Sequence, residues 1–171
     1  ITGDITQKGL PDEFAAAVPS LSERYHVRPL WNARILKWLF EHSARKRHFG
    51  QVRMRLVKGR GDRIAGGYNT YGSGKGMAFV LQMFAAPNAE RLVVDELFAH
   101  ADAHGFAAMR GRVQPELLDA LVRQRAILLR RSAAVVHTRN RELLTPLLGG
   151  NALITGLAAE AWTRLIGDEF S

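Results

Sequence analysis

The sequence contains no cysteine. Disulfide bonds and thiol catalysis are therefore excluded, and the absence is typical of a cytoplasmic protein. The chain also lacks an apolar run long enough to cross a bilayer and a signal-peptide pattern at its start, so we expect no membrane span. Aromatic residues are scarce, at 8%, which leaves few side chains on which nucleic-acid bases could stack.

Positive charge is what the sequence has in excess. Lysine and arginine number 24 against 16 acidic residues, a formal charge of +8. This balance suits anionic partners such as nucleic acid, phosphate-bearing cofactors or acidic lipid. The basic residues are spread along the chain without a recognised binding motif, however, so we do not expect nucleic acid as a partner. A basic nucleic-acid-binding module is kept as the second alternative.

The length of 171 residues is enough for one domain with a core of its own. An apolar fraction of 47% and a charged fraction of 23% are those of a globular protein. We predict a single domain over 1–171, with short helices in an N-terminal extension at 1–30, the core at 31–155 and a C-terminal segment at 156–171. Because the chain begins with Ile1 instead of methionine, we expect it to be a processed chain or part of a longer one.

A strand, a helix and a second strand organise the chain. Gly76–Phe84 is apolar on both faces, which is typical of a central strand. Strict alternation places Met83 with Phe79 and Leu81, and Phe84 with Val80. Asn88 is the predicted N-cap of a helix that Gly105 ends, and Phe106–Val113 is the next strand. Strands joined by such a crossover should be parallel.

The elements before this unit predict an antiparallel meander. Short loops join strands at Gln51–Lys58, Arg63–Tyr71 and Gly76–Phe84. An amphipathic helix at Trp31–His42 precedes them, and its two tryptophans are expected to anchor it on the sheet. A shorter helix, Pro11–Val18, should end at Pro19.

After the central unit we predict two more helices and two more strands. The helices are Pro115–Arg123, with Leu117, Leu118, Leu121 and Val122 facing inward, and Arg141–Leu148, which Gly149 stops; the strands are Ala133–Thr138 and Ala152–Thr155. Trp162 and Leu165 are expected to pack back on the core. The predicted class is α/β with a mixed sheet.

This element order resembles that of the GNAT superfamily of N-acetyltransferases. The resemblance covers roughly Trp31 to Thr155 and includes the run Ala78-Phe79-Val80-Leu81-Gln82. It implies a GNAT-like fold, in which an antiparallel meander is followed by a parallel strand–helix–strand crossover. It also implies an N-acetyltransferase that moves the acyl group of acetyl-CoA, or another acyl-CoA, to the amine of a small molecule or peptide.

In such proteins the central strand and the following helix form the acyl-CoA site. The resemblance therefore implies that the donor is bound by Gln82, Met83, Phe84, Asn88 and Arg91. The physical basis is that a helix N-terminus offers free N–H groups and a positive dipole end to the pyrophosphate.

The phosphate loop departs from the family pattern. The usual loop is Arg/Gln-x-x-Gly-x-Gly/Ala, whereas Ala85–Leu92 contains no glycine, and Pro87 and Glu90 oppose phosphate binding. Three interpretations follow. The chain is an acetyltransferase with weakened donor binding, a non-catalytic interaction or regulatory domain with an N-terminal partner in a tandem protein, or a relative of the FemABX transferases.

The chemistry that the resemblance implies needs a base near the acceptor amine. His137 is the first candidate, together with Tyr68, and Asn69, Tyr71 and Arg139 are candidate acceptor residues. Each has a structural alternative: a strand histidine with ordinary partners, or tyrosines packed against their neighbours. Gln82 is either a ligand contact or a buried amide bonded to its neighbours.

Helical spacing also places Glu96, His100 and His104 on one helix face, as metal ligands require. No further ligand is apparent nearby, and the last turn of a helix favours histidine without a metal. We therefore predict no metal site.

Overall fold

The computed structural model describes residues 10–129 and 136–158. Its centre is a four-stranded sheet in the order β1-β2-β3-β4, formed by Gln51–Lys58, Ile64–Gly72, Met77–Ala85 and Ala108–Gly111. The first three strands are antiparallel neighbours, whereas β4 runs parallel to β3. The predicted α/β mixed sheet, a meander followed by a parallel crossover, is therefore confirmed.

The α-helices of the described residues are α1 (Leu10–Ser22), α2 (Ala33–Arg45), α3 (Glu90–Ala103), α4 (Leu118–Arg123) and α5 (Leu144–Leu148). Short 3₁₀ turns lie at Arg47–Phe49, Arg60–Asp62, Pro115–Leu117, Arg141–Leu143 and Gly156–Ala158. No helix in this part of the chain has the length and apolar character needed to cross a membrane.

Both faces of the sheet are covered. On one face, here called the α1 face, α1, α2 and the turn at Gly156–Ala158 pack around a cluster that includes Phe14, Val18, Leu36, Met54, Phe84 and Leu157. On the other, the α3 face, α3 and α4 pack around Tyr68, Met83, Val93, Leu97, Leu117 and Ala120. Phe14 and Val18 of α1 are fully buried. This helix is therefore part of the core, although the sequence analysis placed it in an extension outside a core at 31–155.

A β-bulge interrupts the pairing of β2 with β3. Asn69 lies opposite Gln82, but the pairing then skips Leu81, which is the extra residue of β3. An extra residue moves the side chains after it to the opposite face. Met83 packs on the α3 face and Phe84 on the α1 face, so the faces predicted for both by strict alternation are wrong.

The first two helices differ in detail from the prediction. Helix α1 runs through Pro19 to Ser22, whose Oγ donates to the Pro19 carbonyl at 2.8 Å. Its last turn is held by packing, because Leu21 and Ser22 are buried. Trp38 of α2 is 41% exposed and does not anchor that helix, whereas the ring of Trp31, just before α2, packs edge-on against a sheet phenylalanine at 6.1 Å.

Helix α3 begins one residue later than an Asn88 cap would require. Asn88 has φ 68°, and Ala89 occupies the N-cap position without a side-chain bond. Pro87 followed by a residue with positive φ is the pattern of a type II turn, which the bond from Ala89 N to Ala86 O closes at 3.0 Å. The predicted stop is confirmed: Gly105 follows α3 with φ 67°.

The residues after β4 form less regular structure than predicted. Strand β4 is shorter than the predicted Phe106–Val113, and the predicted helix Pro115–Arg123 begins as a 3₁₀ turn. Leu118 and Val122 are 40% and 53% exposed, against prediction. Leu117 is buried and Leu121 is partly buried against the α3-face core, as predicted, and Ala120 is buried beside them.

Two predicted strands are not formed where the chain is described. Ala152–Thr155 contributes one isolated bridge, from Ala152 to Val27. In the predicted strand Ala133–Thr138, residues 136–138 are not in a strand, and residues 133–135 lie outside the described part of the chain. Trp162 and Leu165 also lie outside it. The helix that Gly149 stops is present as α5 and the turn before it.

Candidate functional site

Strands β3 and β4 separate after a short paired stretch. They pair from Met77 with Ala108 to Val80 with Gly111. Strand β3 then continues to Ala85, paired with β2 on one side but no longer with β4 on the other. We call the space beyond the last pair the β3–β4 gap. In open α/β sheets ligands bind outside the carboxyl ends of parallel strands, where neighbouring chains diverge. The gap is therefore the place to look for functional side chains.

Three buried polar side chains and one partly exposed carboxylate meet at this gap. The Tyr25 hydroxyl donates to a carboxylate oxygen of Glu116. Gln114 Nε2 donates to the Tyr25 oxygen at 2.6 Å and to Glu116 at 3.2 Å. Gln82 Nε2 reaches the Gln114 amide oxygen at 3.4 Å. These residues, here called the Tyr25 network, join the segment after α1 to β3 and to the segment after β4.

The environment of Tyr25 keeps its hydroxyl protonated. The side chain is 3% exposed. Burial raises the pKa of Tyr25 far above its ordinary value, and the hydrogen bond to Glu116 and the negative charge of that carboxylate add to the effect. Tyr25 is therefore a hydrogen-bond donor, and the Glu116 carboxylate is the hydrogen-bond acceptor that it holds in place.

Gln82 joins the same network from β3. Its side chain is 2% exposed, and its Oε1 accepts the backbone N–H of Leu157 at 3.0 Å. Its Nε2 also donates to the Met83 carbonyl at 3.2 Å. In the present conformation Gln82 is a buried amide bonded to its neighbours, one of the two interpretations that the sequence left open.

The strand–helix turn that would face a donor phosphate carries an ion pair. Arg24 Nη1 donates to the Ala85 carbonyl at 3.0 Å and to Glu90 Oε1 at 2.8 Å, bridging the end of β3 and the start of α3. An open cleft of about 310 Å³ lies beside this bridge, lined by Ser20, Leu21, Glu23, Arg24, Ile64, Ala86 and Pro87. The guanidinium of Arg24 is already paired with the Glu90 carboxylate, so these residues fit a pyrophosphate poorly.

The donor residues implied by the resemblance are dispersed. The side chains of Met83 and Phe84 are in the two cores, so only their backbone could meet a ligand at the edge of β3. Asn88 is exposed in its turn. The side chain of Arg91 is 74% exposed, 3.6 Å from Asp95.

The predicted acceptor residues of β2 lie on different faces. Tyr68 is buried beneath α3, and its hydroxyl contacts the Glu96 carbonyl and His100 Nδ1, each at 3.2 Å. Asn69 and Tyr71 are fully buried on the α1 face. Asn69 is thus brought beside Gln82, its partner across the strands, while Tyr68 is not.

His137 and Arg139 are exposed on the irregular stretch 136–140. Neither is part of the Tyr25 network, so their predicted roles remain predictions. The rings of His100 and His104 lie one helical turn apart, with centroids 4.3 Å apart and planes tilted by 41°. Within residues 10–129 and 136–158, no group of three or more such side chains is arranged to hold a metal ion.

Sequence reasoning missed Arg24, Tyr25, Gln114 and Glu116. A signal existed for the last two, because they directly follow a strand predicted to be parallel, and ligand-binding residues favour that position. Tyr25 and Arg24 gave no such signal, because they lie in a short segment whose position over the gap depends on how α1 packs.

The comparisons with known proteins bear on the fold. No protein-family model and no curated protein matches the sequence. Similar solved structures include an acetyltransferase of Trypanosoma brucei, at 10% identity over 74% of this chain and 94% of that chain, with a TM-score of 0.48. A ribosomal-protein-alanine N-acetyltransferase of Brucella melitensis biovar Abortus has 14% identity, coverages of 74% and 91%, and a TM-score of 0.47. A probable acetyltransferase has 15% identity, coverages of 77% and 89%, and a TM-score of 0.43. The meander and the parallel crossover of this chain are the arrangement that the resemblance to GNAT proteins implied from the sequence.

Proposed function

We propose that this chain is an N-acyltransferase domain, which transfers an acyl group from an acyl-CoA such as acetyl-CoA to an amine. The observation that carries the proposal is the carboxylate of Glu116, held by Tyr25 and Gln114 at the β3–β4 gap. A carboxylate fixed at the diverging ends of parallel strands is suited to accept a proton from a bound ligand.

The reaction forms a C–N bond between the amine and the acyl carbon and breaks the C–S bond of the thioester. The proton that the amine loses to a base is balanced by the proton that the departing CoA thiolate takes up. A bound acyl-CoA would supply the activated thioester carbonyl. Glu116 takes the amine proton, and Tyr25 orients that carboxylate because its own hydroxyl stays protonated. The edge of β3 beyond Val80 offers backbone groups to the extended part of an acyl-CoA. Arg24 would have to leave Glu90 before it could bind a phosphate of that donor.

The test is Glu116→Gln, which keeps the shape of the side chain and removes the base. We expect kcat for acetyl transfer from acetyl-CoA to a panel of amines to fall by about 100-fold or more. Glu142→Gln is the matched control, because Glu142 is also the middle residue of a three-residue 3₁₀ turn but is exposed. The same assay on His137→Gln tests the base first suggested by the sequence. Equal rates for the Glu116 and Glu142 variants would contradict the proposal.

A second candidate is a non-catalytic interaction or regulatory domain on the same fold. The observation that favours it is the Arg24–Glu90 ion pair, in which both side chains are about four-fifths buried, with 21% and 20% exposed. A carboxylate at the first turn of α3 already satisfies the positive end of the helix dipole. In this case an N-terminal partner domain would carry the chemistry, and this chain would not bind acetyl-CoA.

A further inference from the structure

One buried side chain on β2 has no visible reason to be polar. Asn69 is fully buried, and neither its Oδ1 nor its Nδ2 has a hydrogen-bond partner. Buried polar groups in folded proteins nearly always have partners, so an exception of this kind calls for an explanation. Asn69 offers one acceptor and two donors to whatever lies beside it.

Asn69 is on the α1 face, close to the Tyr25 network. Its neighbours two residues along β2 fix the face: Tyr71 packs in the α1-face cluster, and a Cβ at Gly67 would touch Phe14 of α1. Across the strands Asn69 lies opposite Gln82, whose amide already joins the network. The carboxamide is therefore directly beside the bulge, and only strand β3 separates its backbone from the gap.

The turn at Gly156–Ala158 covers the bulge. A Cβ added at Gly156 would lie 2.2 Å from Gln82 Oε1 and 2.3 Å from the Leu81 carbonyl oxygen. The Leu157 N–H bonds to the same Gln82 oxygen. If this turn moved away, the Gln82 amide and the Leu81 carbonyl would be freed beside the unpaired Asn69, giving two carboxamides and a carbonyl on one surface.

We propose that these groups form a subsite for an uncharged amide next to the acceptor amine, so that the preferred acceptor is an amino-acid amide or a peptide N-terminus. This inference rests on the proposed function, because there is an acceptor amine only if the chain transfers an acyl group. An amide group presents a donor and an acceptor side by side, which matches the two unpaired atoms of Asn69. The cross-strand neighbours of Asn69 are Met54 and Gln82, neither of which is charged. A carboxylate here would be buried without a counter-charge.

The test compares Asn69→Leu with Thr70→Val. Thr70 is the next residue of β2, and its Oγ1 is likewise buried without a partner. Because alternation along β2 puts it on the α3 face, it serves as the matched control. Removing an unsatisfied polar atom should raise Tm in both variants, by about 2–4 °C for each kcal/mol gained. The dissociation constant of alaninamide, measured by NMR titration, should rise about tenfold or more in Asn69→Leu only.

Alanine is the charged counterpart of this probe, and wild-type protein should bind it at least about tenfold more weakly than alaninamide. The inference is overturned if alaninamide does not bind, if it binds both variants equally, or if Asn69→Leu lowers Tm while Thr70→Val raises it. Because the readout is binding, it is separate from catalysis. Asn69-dependent binding without acetyl transfer would support the subsite and contradict the proposed function alone.

Discussion

Tyr25 is the side chain whose properties depend most on the rest of the fold. In the unfolded chain its hydroxyl is solvated, whereas in the folded protein it is buried against Glu116 and Gln114. Nothing in the local sequence around Tyr25 predicts this, because its partners are 89 and 91 residues away. A long-range hydrogen bond of this kind is fixed by tertiary packing and leaves no periodic pattern.

The raised pKa of Tyr25 predicts a pH dependence of stability. The hydroxyl ionises near its ordinary value of 10.0 in the unfolded chain and at higher pH in the folded protein. Its contribution to the free energy of unfolding is therefore complete below about pH 10. Above that pH it falls by about 1.4 kcal/mol for each pH unit.

Tyr25→Phe isolates this contribution. At pH 8 the variant should be less stable by about 1–3 kcal/mol, because Glu116 and Gln114 lose a buried partner. Urea unfolding from pH 8 to pH 11.5 should show the difference between wild type and variant shrinking above pH 10. The other tyrosines cancel in this comparison. A constant difference over the whole range would mean that the hydroxyl does not titrate as described.

At the scale of elements, the sequence was most successful where a pattern is local. Strand β1 has the predicted bounds, and Gly105 ends α3 as predicted, because alternation and a left-handed glycine are properties of neighbouring residues. The predictions were wrong where packing overrides the pattern. The bulge at Leu81 reverses the faces of Met83 and Phe84, and tertiary contacts carry α1 through Pro19.

Helix α1 therefore contains a replaceable defect. Pro19 is exposed and cannot donate to the carbonyl four residues before it. Pro19→Ala should raise the free energy of unfolding by about 1–3 kcal/mol, the helix gain less the added freedom of the unfolded chain. Pro29→Ala is the control, since Pro29 follows an extended segment and gains no helical bond. Thermal melts of both variants provide the measurement, and an equal response would show that α1 is not strained at Pro19.

At the scale of the whole molecule, the mixed sheet and its order followed from element order, whereas the site did not. The Tyr25 network draws on three separate stretches, around residues 25, 82 and 114–116. The sequence singled out Gln82, and the part that follows a predicted parallel strand could also have been anticipated. The element order is visible in the sequence, but the way the N-terminal segment closes over the gap is not.

Donor binding should be visible as a change in the stability of the whole protein. Acetyl-CoA at a hundredfold excess over its dissociation constant should add about 2.7 kcal/mol, which raises Tm by roughly 5–10 °C for a chain of this size. We expect the rise in Tm on adding acetyl-CoA to be larger in Glu90→Gln than in the wild type, because that variant releases Arg24 to bind a phosphate. Asp102→Asn is the control, since it removes the same charge from an exposed carboxylate at the other end of the same helix. A melt unchanged by acetyl-CoA in both wild type and Glu90→Gln would favour the non-catalytic candidate.

The edge of β3 beyond its pairing with β4 has a further consequence, for self-association. A strand edge with unpaired carbonyls can recruit a strand from another molecule and start aggregation. Here the Ala85 carbonyl is taken by Arg24 and the Met83 carbonyl by the Gln82 amide. The side chains that would have to yield to an extended ligand are thus also the ones that protect the edge. Opening this site for a ligand and keeping copies of the protein apart are opposing demands on the same few residues.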